Sequence, residues 1–119
     1  MNWIELGTEQ ELLKLTEKSF TQPQAIFKHS TTCGTSFHVK MMLEDEVTPE
    51  NIDFHYLDLL ANRPLSNKIA TQFNVHHESP QILILKDGKC VYHTSHVAIR
   101  MGKISEFAKP ELSLQGPVI

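Results

Sequence analysis

The stretch that decides the fold is Ala25-Ile-Phe-Lys-His-Ser-Thr-Thr-Cys33-Gly-Thr-Ser36. A short apolar run ends in a hydroxyl-rich loop, Cys33 follows, and an apolar-periodic segment continues to about Leu43. This order predicts a strand, a loop and a helix that begins at the cysteine. The dipole of that helix and the free N–H groups of its first turn favour the thiolate, which is the nucleophilic form of cysteine. The stretch therefore points to thiol redox chemistry.

The composition of the chain narrows the class of protein. A length of 119 residues fits one domain with a real core. A net charge of −3 gives no electrostatic case for binding nucleic acid or an anionic membrane. The sequence has no apolar stretch near the roughly 20 residues of a membrane span and no visible signal peptide. Two cysteines are too few for a disulfide framework, so we expect both to be reduced in the cytoplasm.

The pattern along the chain predicts the order β-α-β-α-β-α-β-β-α. Five apolar segments read as strands, at residues Asn2–Leu6, Ala25–Lys28, Asp53–Leu57, Gln81–Leu85 and Lys89–His93. Strands that alternate with helices imply parallel pairing, and the turn signal Asp87-Gly88 adds an antiparallel hairpin. We therefore expect an α/β domain over residues 1–109, with a mixed central sheet flanked by helices on both faces. Residues 110–119 read as a loosely ordered C-terminal tail.

Each predicted helix has start signals, stop signals or an apolar face. Thr8 and Glu11 form a capping box before the first helix. Asn74 ends the third helix, and Pro110 follows the last one. The expected apolar positions, in chain order, are Leu12, Leu13, Leu15 and Phe20; Phe37 and Met41, flanked by Val39 and Leu43; Leu65, Ile69 and Phe73; and Ile104, Phe107 and Ala108.

The element order resembles that of thioredoxin-like proteins. A second marker agrees with it: His76-His-Glu-Ser79-Pro80 stands directly before the strand Gln81–Leu85. In thioredoxin-like proteins a proline at this place has a cis peptide bond and faces the reactive sulfur. The resemblance therefore implies a thioredoxin-like fold, with the backbone beside Ser79 free to pair with an extended substrate.

Four stretches together resemble the small monothiol bacilliredoxins of the bacillithiol redox system. They occur in order within the span from Trp3 to Phe107. The stretches are Phe27-Lys-His-Ser-Thr-Thr-Cys33, Arg63-Pro-Leu-Ser-Asn67, His77-Glu-Ser-Pro-Gln81 and His93-Thr-Ser-His96. The family usually has Pro-Ile between the cysteine and the serine of its motif, where this chain has Gly34-Thr35.

The resemblance implies removal of bacillithiol from protein mixed disulfides. Cys33 would attack the mixed disulfide and take bacillithiol onto its own sulfur, and a second bacillithiol would regenerate it. The expected partners are bacillithiolated proteins and bacillithiol as co-substrate, with no bound cofactor and no metal. The expected catalytic residues are Cys33 and Ser36. The expected substrate-binding residues are Thr32, Gly34, Thr35, Ser79 and Pro80.

Ser36 stands where two-thiol redox proteins have their second cysteine. A hydroxyl forms no disulfide, so a resolving step at this position is excluded. We expect the Ser36 hydroxyl to donate a hydrogen bond to the Cys33 thiolate. Lys28 and His29 lie just before the loop and should point to opposite faces of the strand. One interpretation is that Lys28 or His29 provides positive charge near the thiolate. The alternative is that the residue only caps the end of the sheet.

Other polar residues have simpler interpretations. Cys90 reads as a packing residue, with a remote resolving thiol as the alternative. His76-His77 and Cys90-x-x-His93-x-x-His96 look like metal ligands, but strand alternation should put Cys90 and His93 on opposite faces. Asp58 reads as a polar strand end, with a substrate contact as the alternative.

Two other functions remain open from the sequence. Cys33-Gly-Thr-Ser36 differs by one residue from the Cys-Gly-Phe-Ser of monothiol glutaredoxins, which hold a [2Fe–2S] cluster between two protomers. The chain would then be an iron–sulfur carrier. The third possibility is a binding module of thioredoxin-like fold with no turnover.

Overall fold

The computed structural model describes residues Met1–Ala108, so the predicted domain end at residue 109 and the predicted tail lie outside the described residues. The strands are β1 (Trp3–Glu5), β2 (Gln24–His29), β3 (Asp53–Asp58), β4 (Gln81–Lys86) and β5 (Lys89–Ser95). The helices are α1 (Glu9–Lys18), α2 (Gly34–Asp45), α3 (Arg63–Phe73) and α4 (Met101–Ala108), and a short 3₁₀ turn covers His96–Ala98. The predicted order of elements is confirmed.

The five strands form one mixed sheet in the order β1-β3-β2-β4-β5. Strands β1, β3 and β2 are parallel, and β4 and β5 are antiparallel to their neighbours. One face carries a core cluster with residues from α2 and α4, and the other face carries a cluster with residues from α1 and α3. The expected α/β architecture, with helices on both faces of the sheet, is confirmed. No helix within residues 1–108 is long and apolar enough to cross a membrane.

Strand β2 is the centre of this arrangement. All six of its residues are buried, and it pairs with β3 on one side and β4 on the other. Its side chains alternate between the two layers: Phe27 belongs to the cluster with α2 and α4, and Ile26 to the cluster with α1 and α3. The carboxyl end of β2 leads into the loop that carries Cys33.

Local sequence chemistry sets several ends of these elements. Thr8 Oγ1 accepts a hydrogen bond from Glu11 N–H, and the Glu11 carboxylate accepts one from Thr8 N–H, so the capping box is confirmed. Asn74 ends α3 in the left-handed conformation, with φ of 55°. Asp87 and Gly88 both have positive φ, which is the geometry of a tight hairpin turn.

The predicted apolar face of α1 is partly wrong. Leu12 and Leu15 are buried, but Leu13 is 58% exposed and Phe20 is 62% exposed. The helix ends at Lys18, so Phe20 lies beyond the helical period, and its ring lies within 3 Å of where a Cβ on Gly88 would stand.

The face assigned to α2 was also wrong. Val39 and Leu43 are buried in the core, whereas Phe37 and Met41 are 60% and 49% exposed. Both pairs are spaced four residues apart, so both satisfy the helical period. The spacing alone does not say which of the two stripes packs on the sheet.

Strand β5 contains an irregularity that overturns a third prediction. Cys90 pairs with Leu85 and Tyr92 pairs with Ile84, so Val91 is an extra residue in β5. His93 pairs with Leu83, which belongs to the same core cluster as Leu85. Cys90 and His93 therefore point to the same face of the sheet, not to opposite faces.

The buried His55 on β3 predicts a loss of stability in acid. Its Nε2–H donates to Gln24 Oε1 at 2.7 Å, and burial lowers the pKa of His55 to about 4 from 6.5. The unfolded chain therefore binds this proton first, so stability is complete above pH 6.5 and is lost as the pH falls towards 4. We expect His55 to contribute on the order of 3 kcal/mol to this fall in the free energy of unfolding.

Urea unfolding at several pH values tests this. His55→Gln should unfold with a shallower pH dependence than the wild type between pH 6.5 and 4. Equal slopes for the two proteins would contradict the assignment.

Candidate active site

Cys33 is the residue that caps the amino end of α2. Its backbone is extended, its N–H donates to the Ser30 carbonyl at 3.2 Å, and its carbonyl accepts from Phe37 N–H at 3.0 Å. The side chain is a half-buried free thiol that makes no capping hydrogen bond. The first N–H groups of a helix have no partner inside the helix, and an N-cap side chain is placed to accept from them. A thiolate at Cys33 fits this acceptor position.

The Ser79–Pro80 peptide bond is cis, as the resemblance to thioredoxin-like proteins predicted. The next residue, Gln81, pairs with Lys28 at the end of β2. The cis-proline therefore lies beside the part of β2 that leads to the cysteine loop. On its other side, the Pro80 carbonyl accepts from His96 N–H at 3.0 Å.

The residues predicted to bind substrate lie at this same edge of the sheet. Thr32, Gly34 and Thr35 are exposed around the start of α2, whereas Ser79 is half-buried and Pro80 is buried. A Cβ placed on Gly34 would meet no atom within 4 Å. The surface beside the thiol is therefore open.

Ser36 lies in the site but contacts different groups from those expected. It is fully buried, its Oγ lies 2.7 Å from His29 Nδ1, and it accepts a hydrogen bond from Ser30 N–H at 3.1 Å. Among the described residues, no hydrogen bond joins it to the Cys33 sulfur, so the expected bond to the thiol is not present in this structure. The Ser36 hydroxyl instead ties the first turn of α2 to the end of β2.

His29 does not supply positive charge to the site. Its ring lies between those of Phe27 and Tyr56, with centroids 5.8 Å and 5.5 Å away. Burial lowers the pKa of His29 below 6.5, and the nearby charge of Lys40 lowers it further. The imidazole is therefore neutral near pH 7 and serves as a hydrogen-bond partner of Ser36.

Lys28 points to the opposite layer from His29, as strand alternation predicted. It is fully buried and contacts Ser66 on α3 and His77 in the loop before the cis-proline. Ser30 and Ser66 were not predicted to contribute to the site. Both belong to stretches that resemble the family, and both lie at this edge of the sheet: Ser30 follows a buried strand, and Ser66 is in the first turn of α3.

Cys90 is too far from the site to act on Cys33. It pairs with Leu85, four residues along β4 from Gln81, which is roughly 13 Å from the active edge. A disulfide needs Cα atoms within about 7 Å of each other. Burial raises the pKa of the Cys90 thiol, and its sulfur donates to the Tyr92 carbonyl. The structure supports the packing role.

The remaining polar candidates are Asp58 and the residues that look like metal ligands. Asp58 Oδ1 accepts hydrogen bonds from Leu60 N–H and Ala61 N–H, so it caps the end of β3. Within residues 1–108, no three histidine, cysteine or acidic side chains are grouped closely enough to hold a metal ion.

Comparison with known proteins agrees with this geometry. The family described as monothiol bacilliredoxin BrxC matches residues 4–104. A solved structure described as a thioredoxin-fold protein of inferred oxidoreductase activity superposes with a TM-score of 0.79 at 26% identity, covering 90% of this chain and 94% of the other.

Two thioredoxins superpose at lower identity. That of Malassezia sympodialis has a TM-score of 0.71 at 10% identity and covers 92% of both chains. That of Fasciola hepatica has a TM-score of 0.63 at 22% identity and covers 86% of this chain and 92% of the other. The thioredoxin fold predicted from the sequence is confirmed.

The contacts of Ser36 predict a measurable loss of stability on substitution. Ser36→Ala leaves His29 Nδ1 and Ser30 N–H buried without their partner, so unfolding should become easier by about 1–3 kcal/mol. Urea denaturation at pH 7 measures this.

The matched control is Ser105→Ala, because among residues 1–108 the Ser105 hydroxyl bonds only to the Met101 carbonyl of its own helix. It should change stability by less than about 0.5 kcal/mol. If both variants lose the same free energy of unfolding, the His29–Ser36 contact does not stabilise the fold more than an ordinary hydrogen bond within a helix.

Proposed function

Because the chain belongs to the monothiol bacilliredoxin family, we propose that it is a thiol–disulfide oxidoreductase that removes bacillithiol from protein mixed disulfides. The Cys33 thiolate attacks the bacillithiol sulfur, and the target protein leaves as its thiolate. The new disulfide between Cys33 and bacillithiol is then attacked by a second bacillithiol. This step restores the Cys33 thiolate and releases oxidised bacillithiol, so electrons and sulfur bonds balance without a bound cofactor or metal.

One observation carries this proposal: the site contains a single accessible thiol and no second thiol within reach. Cys33 opens a helix and is partly exposed. Ser36 occupies the usual place of a resolving cysteine, and Cys90 lies far along the sheet. A thiol of this kind can exchange a small-thiol cap but cannot close an internal disulfide, so the second thiol must come from solution.

The surroundings of Cys33 suit an extended protein substrate. The backbone of Ser79 makes no hydrogen bond to residues 1–108, so its N–H and carbonyl are available for pairing with a substrate strand. Thr32, Gly34 and Thr35 leave the opposite side of the thiol open. We assign these residues and Pro80 to substrate binding, and we place the reaction in the reducing environment of the cytoplasm.

The test is release of bacillithiol from a capped model protein with bacillithiol as the reductant. Wild type and Cys90→Ser should turn over at similar rates. Cys33→Ser should lose at least about a hundredfold in rate, because it removes the nucleophile. Mass spectrometry of the mildly oxidised wild type should show a cap on Cys33 and no Cys33–Cys90 bond.

Two results would reject the proposal. Equal rates for wild type and Cys33→Ser would remove Cys33 from the chemistry. A coloured cluster in protein purified without oxygen, lost in Cys33→Ser, would favour the iron–sulfur carrier instead.

A further inference from the structure

Lys28 is a buried lysine that has no carboxylate partner among residues 1–108. Its side chain is fully buried at the carboxyl end of β2, and in the described part of the chain no carboxylate lies within ion-pair distance of its Nζ. Burying a charge is costly unless it is paired or well hydrogen-bonded. A residue of this kind, kept beside a reactive site, indicates a functional role rather than a contribution to stability.

The ammonium group connects two elements that build the site. It donates to the Ser66 carbonyl in the first turn of α3 at 3.1 Å, and it lies 3.4 Å from His77 Nδ1. Because an ammonium group only donates, the His77 ring accepts at Nδ1 and holds its proton on Nε2. Lys28 therefore contacts the His77 ring at one defined nitrogen, which also lies 3.4 Å from the Ser66 hydroxyl oxygen.

His76, the residue before His77, is held by a side chain of β4. Gln81 is fully buried opposite Lys28, and its Nε2 donates to the His76 carbonyl at 2.9 Å. The segment before the cis-proline is therefore fixed at His76 and at His77, from two adjacent strands. Ser79 and Pro80 follow these anchors after one residue, Glu78. The Ser79 Oγ is buried without a hydrogen-bond partner among the described residues.

We propose that Lys28 is a positioning residue that fixes the segment His76–Pro80, and through it the backbone of Ser79 that receives the substrate. The inference rests on the proposed function for its catalytic consequence. Cys33 lies at the start of α2, whereas Lys28 contacts α3 in the opposite layer. Loss of Lys28 should therefore impair the presentation of a protein disulfide and leave the thiol itself unchanged.

The charge state of the cluster agrees with this role. Burial lowers the pKa of Lys28 to about 8 from 10.5, so folding opposes its protonation. Burial and the charge of Lys28 lower the pKa of His77, and the other charged or titratable groups acting on it are Arg63, His76 and Glu78. A folded-state pKa below that of the unfolded chain means that Lys28 costs stability at pH 7 and that this cost disappears between pH 8 and 10.5.

The variant that tests the proposal is Lys28→Met, which keeps an unbranched side chain out to Cε and removes the ammonium group with its charge and donors. The control is Lys68→Met, an exposed lysine on the same helix as Ser66. For Lys28→Met we expect kcat/KM on a capped protein to fall on the order of tenfold or more, because small misplacements at a reacting site are expensive. Alkylation of Cys33 by iodoacetamide should change by less than about twofold, because its nucleophile is unaltered.

Backbone NMR order parameters supply a readout that does not depend on turnover. In Lys28→Met, the order parameters of the His77, Glu78 and Ser79 amides should fall from the rigid range of about 0.85 towards about 0.6, and those of α2 should not change, because only the anchored segment is released. The urea midpoint at pH 7 should be no lower than in the wild type, and the rise in stability between pH 8 and 10.5 should be smaller.

The outcomes separate the two proposals. Unchanged order parameters of this segment, or a fall in kcat/KM matched by an equal fall in alkylation, would overturn the positioning role. A wild type that does not remove bacillithiol would overturn the proposed function, and the order parameters would still decide whether Lys28 anchors the loop.

If Lys28→Met does not fold, His77→Ala replaces it, since His77 is partly exposed. The same pattern of order parameters and kinetics is then required for Glu78 and Ser79. A His77→Ala protein with normal kcat/KM and normal order parameters would also overturn the proposal.

Discussion

Two polar side chains at the end of the fully buried strand β2 must find partners inside the protein. Lys28 and His29 are adjacent, so the pleat sends them into opposite layers. Unsatisfied buried polar groups cost more than a typical hydrogen bond contributes. His29 is satisfied by Ser36 on α2, and Lys28 by Ser66 on α3 and by His77. The same strand thus holds the helix of the nucleophile on one face and the segment of the cis-proline on the other.

This constraint explains why the serine of the motif is buried. The exposed part of the motif is Cys33-Gly34-Thr35, where substrate must approach. Ser36 lies one helical turn inside and fixes the loop through Ser30 N–H. A cysteine at the same place would be a weaker hydrogen-bond partner for His29. The monothiol motif therefore combines the absence of a resolving thiol with a firm anchor for the start of α2.

The sequence was sufficient wherever one residue type permits few conformations. The Thr8–Glu11 box, the left-handed Asn74 and the Asp87-Gly88 turn are all decided by local chemistry, and all three are confirmed. Cys33 at the start of a helix follows from the same reasoning, because a polar loop between two apolar segments leaves few alternatives.

The errors arose where the tertiary arrangement decides between equal local patterns. Helix α2 has two apolar stripes with the same spacing, and only packing on the sheet selects Val39 and Leu43. One extra residue, Val91, reverses the face of every later residue in β5, and a bulge has no clear signal in a single sequence. The partners of Ser36 were missed because His29 lies seven residues away, and the strand and helix meet only in the folded chain.

The placement of charge bears on how a single thiol completes a cycle. His29 is held neutral, and Lys28 is turned to the other layer, so neither side chain places positive charge beside Cys33. What remains beside the sulfur is the amino end of α2, a position where helix N–H groups favour an anion. In the proposed reaction, the Cys33 sulfur must leave as a thiolate when an external thiol attacks the mixed disulfide. The proposed one-thiol cycle therefore depends on the amino end of α2 to favour this departing group, and not on a neighbouring cation or a resolving cysteine.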